Sequence, residues 1–302
     1  MASSIEITLT GADGSHSIFH NDWDACEERG LLHIEDLQGW NGGVGADVVP
    51  DLKRFRRHGR FPGKTIRTSR KMELTLSWHR SIHPDKDAYT AFARAASAIA
   101  WGEGPYHMRV VEDGFALNTE IQIDGEPNFQ PVFAGSEAAF RVRIPISASD
   151  PFLYGDPRET LIQGYQRTPS LLWDTFGQGY TNAEGEQVLG WSEPHVNPLT
   201  IMNAGTVPAY PVFVVTADSY SGVRITLGGN AVEYGGALVQ ASPLTLDYRQ
   251  GSATINGRDQ SAQLTLRGWE ALPPGSMAIP QVDFLEDTGI GFATAIMRDQ
   301  FI

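Results

Sequence analysis

The chain has 302 residues, of which 41% are hydrophobic and 20% charged, an ordinary globular mix long enough for two cores. Its net charge of -13 argues against a general nucleic-acid binder, and its single cysteine, Cys26, excludes an internal disulfide and a multi-cysteine zinc site. No apolar run approaches the ~20 residues of a membrane helix, and residues 1–14 lack the basic and apolar regions of a secretory signal, so no membrane insertion and synthesis in a reducing cytoplasm are expected.

Residues 3–10 alternate, with Ile5, Ile7 and Leu9 on one face, and read as a strand. Gly11 to Gly14 form a turn, residues 16–30 read as polar and irregular, and residues 31–34 as a short strand. Residues 39–45, with four glycines, are too flexible in composition for a regular element. Between Asp51 and Lys71 lie Lys53, Arg54, Arg56, Arg57, Arg60, Lys64, Arg67, Arg70 and Lys71, so nine of 23 basic residues face one acid. With Gly59, Pro62 and Gly63 as punctuation, this stretch is expected to be an extended arm or hairpin. Residues 72–78 alternate cleanly and predict a strand. A helix is expected from near Pro84, with Asp85 and Asp87 complementing its dipole, Tyr89, Phe92, Ala96 and Ile99 forming its apolar face, and Gly102 ending it. Strands are expected again at 107–111, 117–123 and 139–147, the last with Phe140, Val142, Ile144 and Ile146 on one face and Arg141 and Arg143 opposite.

Two Asp-Pro steps, at Asp150 and Asp156, mark a domain boundary. The expected division is 1–155 as a first domain, 156–197 as an ordered aromatic and glycine-rich insertion or arm carrying Trp173, Phe176, Tyr180 and Trp191, and 198–302 as a second domain. In the second, Pro208 and Pro211 are expected at a strand entrance or an edge, because proline cannot donate to a ladder. Short strands at 212–216, 224–227, 231–234, 244–248, 253–255, 263–267, 278–284 and 291–297 have the spacing of a β-sandwich. Gly228-Gly229, Gly235-Gly236 and Asn256-Gly257 mark tight turns, Asn-Gly being the strongest hairpin signal.

The order of these features resembles the distal tail protein family of long-tailed, non-contractile phages. In the first half the resemblance rests on Gly39-Trp40, His58-Gly59, residues 67–76 and the passage from Ser149 to Gly155. In the second it rests on residues 203–211, Asp247-Tyr248, residues 255–259, Trp269 and residues 272–276. It implies a mainly β protein: an N-terminal split-barrel-like domain with one α-helix and an extended loop, and a C-terminal galectin-like β-sandwich. It implies a structural, non-enzymatic virion protein without cofactor or metal. The protein would form a hexameric ring at the distal end of the tail, assembled in the host cytoplasm, that joins the tail tube protein to the tail-tip hub. The tape measure and receptor-binding proteins are further partner candidates, and genome DNA would pass through the lumen without specific binding. Ring closure needs repeated heterologous contacts. The candidate interface residues are Trp40, Arg54, Arg56, Arg57, Arg67, Arg70, Trp173 and Trp191, the arginines pairing with carboxylates of an adjacent subunit or neighbouring tail protein.

Other chemistries have weaker footholds. His16 and His20, and His79 and His83, have the i, i+4 spacing of helical zinc ligands, but no glutamate takes the zincin position and surface or packing histidines are the plainer reading. Glu120, Asp124 and Asp247 lie on or beside strands, where a hydrolase pair would have to converge; outward-facing strand residues and turn ends are the plainer reading. No Gly-x-Ser-x-Gly or P-loop occurs. The alternative function is a carbohydrate-binding adhesin contacting the host surface, with Tyr210, Tyr220, Tyr234, Tyr248 and Trp269 as its aromatic platform.

Overall fold

The computed structural model describes residues 4–42, 44–48, 52–53, 60–61, 65–79, 86–101, 104–134, 137–163, 180–181, 187–188, 199–285 and 290–302. They fall into two compact units, Met1–Asp156 with Gln300–Ile302, and Pro157–Asp299.

The first unit begins with β1 (Ile5–Thr10) and β2 (His16–His20), then α1 (Trp23–Arg29) and β3 (Leu32–Gln38). The region expected to be irregular is therefore a strand and a helix. Asp22 caps α1 by accepting the Asp24 N–H, and Gly30, at φ 66°, ends it in the left-handed conformation. This crossover lets β2 and β3 run parallel, with Phe19 opposite Leu32. There follow β4 (Val44–Val48), β5 (Leu52–Lys53), β6 (Arg60–Phe61), the 15-residue β7 (Thr65–His79) and α2 (Lys86–Trp101). Then come β8 (Tyr106–Glu112), β9 (Phe115–Ile123), β10 (Asn128–Ala134), β11 (Glu137–Ala148) and β12 (Leu153–Tyr154). β4 starts inside the glycine-rich loop expected to be irregular. β10 was not legible because Pro131 interrupts its pattern; it is tolerated because β10 is an edge strand, paired only with β11.

Seven strands close into a barrel in the order β11, β7, β3, β2, β1, β8, β9, and β9 returns to β11 through Ile123 opposite Ile146. Alternation fills it. Ile7, Leu9, Leu74, Leu76, Trp78, Met108, Val110, Val142, Ile144 and Ile146 are all buried in one core. The helix expected from Pro84 begins at Lys86 and adds Ala96 and Ile99 to that core, with the Phe92 ring 6.5 Å from Trp78. Pro84, Asp85 and Gly102 lie outside the described residues.

The second unit opens with β13 (Arg158–Gln163), β14 (Tyr180–Thr181), β15 (Gln187–Val188) and β16 (Ile201–Asn203). It continues with β17 (Val212–Asp218), β18 (Val223–Leu227), β19 (Asn230–Tyr234), β20 (Leu244–Asp247), β21 (Ser252–Ile255) and β22 (Arg258–Asp259). It ends with β23 (Leu264–Arg267), β24 (Ser276–Ala278), β25 (Gln281–Phe284) and β26 (Ile290–Met297). A six-stranded sheet, β13-β26-β17-β20-β21-β22, and a four-stranded sheet, β23-β19-β18-β25, share one core, to which Phe213, Leu246 and Ala295 contribute from the first and Ile225, Val232 and Val282 from the second. This is a β-sandwich. The single strand expected at 278–284 is two strands in different sheets, broken at Pro280. Asn256 and Gly257, at φ 49° and 73°, form the expected two-residue hairpin between β21 and β22.

Two details bear on the expected boundaries. β13, assigned by sequence to the arm, pairs along its length with β26 in the sandwich. The last strand, β27 (Gln300–Phe301), pairs with β12 in the first unit. The rest of the expected arm, Trp173 and Trp191 included, lies outside the described residues.

The Asn203-Ala204-Gly205 turn before the sandwich strands is pinned by a fully buried amide. The Asn203 Nδ2 donates to the carbonyls of Val207, Leu272 and Pro273 at 2.8, 3.0 and 3.3 Å, and its Oδ1 accepts the Gly205 N–H at 2.9 Å. Asn203→Ala removes all four bonds; the Leu272 carbonyl keeps the Ala209 N–H and the Pro273 carbonyl keeps Ser276, while the Val207 carbonyl and the Gly205 N–H lose the Asn203 amide. The substitution should destabilise the sandwich by about 2–3 kcal/mol, read as a fall in the denaturant midpoint with unchanged slope.

Candidate functional site

β7 is the element on which the first unit's surface turns. At roughly 3.3 Å per residue it is about 50 Å long, far beyond an average strand. Its C-terminal part is barrel wall: His33 to Gln38 of β3 lie on one side and Ala139 to Ala148 of β11 on the other. Its N-terminal part pairs with β4 alone, Val44 opposite Arg70 and Val48 opposite Thr65. Beyond it, Leu52 faces Phe61 and Lys53 faces Arg60. β4 and the N-terminal part of β7 are therefore a two-stranded β-ribbon continuous with the barrel wall, carrying Arg67, Arg70 and Lys71 of the basic segment; Lys53 and Arg60 lie on the separate β5–β6 pair, and Arg54, Arg56, Arg57 and Lys64 lie outside the described residues. Such a ribbon has no core of its own and offers unpaired edges. Arg67 is exposed on it, and Ile66 is 55% exposed.

Arg70 sits where ribbon becomes wall, and it is not a surface residue. It is 0% exposed, and its guanidinium donates to the carbonyls of Gly39 at 3.2 Å, of Trp40, and of Pro151 through Nε at 3.1 Å and a terminal nitrogen at 2.9 Å. Trp40 is also buried, in the barrel core. Both were expected at a subunit interface; the structure turns them inward. The reason is geometric: side chains alternate along β7, so Arg70 shares the inward face with Met72 and Leu74, and the three carbonyls compensate its charge. Gly39 adopts φ 78° against the Lys71 backbone, where an added Cβ would run into the Lys71 carbonyl oxygen. Of the remaining interface candidates, Arg54, Arg56, Arg57, Trp173 and Trp191 lie outside the described residues.

The barrel exterior carries ion pairs that close within the chain: Arg141 with Glu35 at 2.5 Å, Arg143 with Glu73 at 3.9 Å and Lys71 with Asp124 at 3.7 Å. Arg109 holds Asp156 with two bonds of 2.6 and 3.0 Å, and the Asn118 amide adds a third at 3.0 Å. The carboxylates considered for hydrolysis have such partners too. Glu120 pairs with His107 at 3.0 Å, and Asp247 accepts the N–H groups of Arg249 and Gln250 in a turn. His16 and His20 lie at opposite ends of β2, where an i, i+4 spacing separates them by about 13 Å.

In the sandwich, Tyr234 and Tyr248 are buried, and Trp269 packs edge-on against Tyr248 at 5.1 Å. Burial pushes both tyrosine hydroxyls above the usual phenol range. Of the five aromatics considered as a sugar platform, Tyr210 and Tyr220 are the exposed ones. The four-stranded sheet presents a charged ladder outward, Arg224 to Glu233 at 2.6 Å. The Thr265 hydroxyl, at 2.6 Å from Glu233, does most to hold that carboxyl below the usual range.

No family model and no curated protein matches the chain. Solved structures do. The crystal structure of the SPP1 Dit protein, a paradigm of the hub adsorption apparatus of phages that infect Gram-positive hosts, matches with a TM-score of 0.58 at 9% identity, covering 98% of this chain and 99% of that one. The chain shares its fold with that SPP1 protein. Two structures of the phage P2 baseplate in its activated conformation, with calcium and with strontium, match with TM-scores of 0.47 and 0.45 at 12% and 11% identity, each over 99% of this chain and 98% of theirs. The hub-protein fold is the one that the family resemblance in the sequence implied.

The inward placement of Arg70 separates it experimentally from its basic neighbours. Arg70→Met should destabilise the first unit by about 3–5 kcal/mol, because three carbonyls lose a charged donor. Charge reversal at Arg67 should change stability by no more than about 0.5 kcal/mol. Chemical denaturation of the two variants checks both values.

Proposed function

We propose that the protein is a structural component of a long, non-contractile phage tail, a ring at the distal end of the tail that joins the tail tube to the tail-tip hub and the host-attachment apparatus. The observation that carries this reading is the hub-protein fold, matched over nearly the whole of both chains. The β4–β7 ribbon supports it in physical terms. A basic two-stranded ribbon on an acidic protein gains stability by lying against another subunit, which covers its edges and neutralises its charge. The ring is read as a homohexamer and the sandwich as galectin-like, as in the family the sequence resembles. Tail tube, hub, tape measure and receptor-binding proteins are its proposed partners, and genome DNA passes through its lumen. Its work is adhesive and mechanical, without catalysis, in the size class of obligate interfaces.

The mass of the purified protein in solution tests the reading, with negative-stain images of the same sample. A closed ring near six times the 33.0 kDa chain mass is expected. Triple charge reversal at Arg54, Arg56 and Arg57 should shift that ring to smaller species while each chain keeps its circular dichroism spectrum. A chain that remains monomeric alone and after mixing with tail-tube and hub proteins would overturn the proposal.

A further inference from the structure

The helix α1 is seated on a part of the barrel wall rich in groups that titrate. Beneath it runs a row of outward-facing, directly opposed residues: Glu6 on β1, His20 on β2, His33 on β3, Ser77 on β7 and Arg141 on β11. Most side-chain contacts from the helix and its leading turn fall on the first three, and the turn is also tied to β1 by two bonds that do not titrate: the Ile5 N–H donates to the Asn21 Oδ1 at 2.8 Å, and the Asn21 N–H donates to the Ile5 carbonyl at 3.1 Å. The Asp22 N–H donates to His20 Nδ1 at 2.9 Å, and Asp22 is the residue that caps the helix. The Asn21 carbonyl accepts from His33 Nε2 at 3.0 Å. The Trp23 indole stacks on His33 with ring centroids 3.5 Å apart and planes 4° apart, and meets His79 edge-on at 5.5 Å. At the far end Arg29 binds Glu6 at 2.6 Å. Among the described residues, Cys26 is the buried side chain of the helix; its thiol donates to the His20 carbonyl at 3.2 Å.

These contacts define protonation states. A backbone N–H can only donate, so the bond from Asp22 requires a bare Nδ1 on His20. A carbonyl can only accept, so His33 carries its hydrogen on Nε2 and leaves Nδ1 for the Ser77 hydroxyl, 3.3 Å away. A proton added to His20 turns an acceptor into a donor that faces another donor. A second proton, on His33, places two like charges on directly opposed residues. The other charged or titratable groups at this row are Glu6, opposite His20, Glu35 and His79, which act on His33, and Asp22, Cys26 and Arg29 of the helix and its cap.

We propose that α1 is a proton-released cover: a proton on His20 Nδ1 would face the Asp22 N–H and remove its seat, a second on His33 would set two like charges on opposed residues, and the helix lifts from the barrel wall while the barrel stays closed. Two further facts agree in sign. Burial, more than any other influence, holds the His33 imidazole below the usual histidine range. An unfolded chain therefore binds that proton at higher pH than the folded one, and stability is lost as pH falls from the unfolded histidine value of about 6.5. Burial also pushes the Cys26 thiol up to about 11, so with the cover closed it is both shielded and protonated.

The sole cysteine of the chain is the reporter. Labelling by 4,4′-dithiodipyridine is measured between pH 7.5 and 5.0, each rate divided by that of the denatured chain at the same pH, with circular dichroism recorded in parallel. The ratio should rise severalfold on acidification while the β-sheet signal holds. His20→Asn supplies an acceptor that does not titrate, and its ratio should stay flat. A flat wild-type ratio, a rise that coincides with loss of the β-sheet signal, or a His20→Asn chain that keeps the wild-type profile would overturn the proposal. If that variant does not fold, hydrogen exchange in the wild-type chain decides, corrected for intrinsic rates. Residues 21–31 must lose protection on acidification while the β8–β9 hairpin keeps it.

Discussion

A buried cation paired with backbone carbonyls, and among the described residues with no carboxylate, holds the first unit together where its longest strand changes neighbours. Arg70 is opposite Val44 of the ribbon on one side and Ala148 of the barrel on the other. Taking a guanidinium out of water costs several kcal/mol, and only well-placed acceptors offset it. The Gly39 and Trp40 carbonyls come from the turn after β3, and the Pro151 carbonyl from the passage into β12. Three remote pieces of chain are thereby fixed around one side chain. Trp40 follows its own carbonyl into the core, and the Gly39 turn closes onto the Lys71 backbone with no room for a side chain.

This arrangement separates rigidity from adhesion. The wall of the barrel is buried on its inner face and satisfied on its outer face by cross-strand pairs such as Arg141 with Glu35. Exposed pairs of this kind add little stability, but they leave few charges seeking a partner. The ribbon is the opposite case, with one ladder and an exposed Ile66 and Arg67. A surface that is complete meets one that is not, and Arg70 lies at the seam.

Period-two alternation made most of both units legible. Wherever one face of a strand is buried, as at residues 72–78 and 139–147, the sequence pattern and the burial pattern coincide. The misreadings have separate causes. The β2–α1 stretch is short and polar because α1 buries little beyond Cys26, so its signals are capping residues, Asp22 and Gly30, and not a stripe of apolar side chains. The turn at Asp113-Gly114, with φ 48° and 84°, carries an Asp-Gly hairpin signal between β8 and β9. Pro131 and Pro280 obscured strands for opposite reasons, one inside an edge strand and one between two strands. Arg70 could not be told from Arg67 by composition, since both belong to one basic run. Only the parity of its position along β7 turns it inward. Fold class was thus readable from pattern, whereas the function of single charged residues depended on contacts far apart in sequence.

In sequence, the second unit interrupts the first. Residues 157–299 leave after Asp156, and the chain then comes back to lay Gln300–Phe301 against β12. During translation, the sandwich is complete before the last strand of the first unit has been made. The sandwich can form from short-range hairpins as it emerges, but β12 waits for a partner about 145 residues further on, the kind of long-range closure that is slow to form. The docking of this final strand is therefore a natural checkpoint: a chain truncated or misfolded anywhere in the sandwich would leave an open edge at β12.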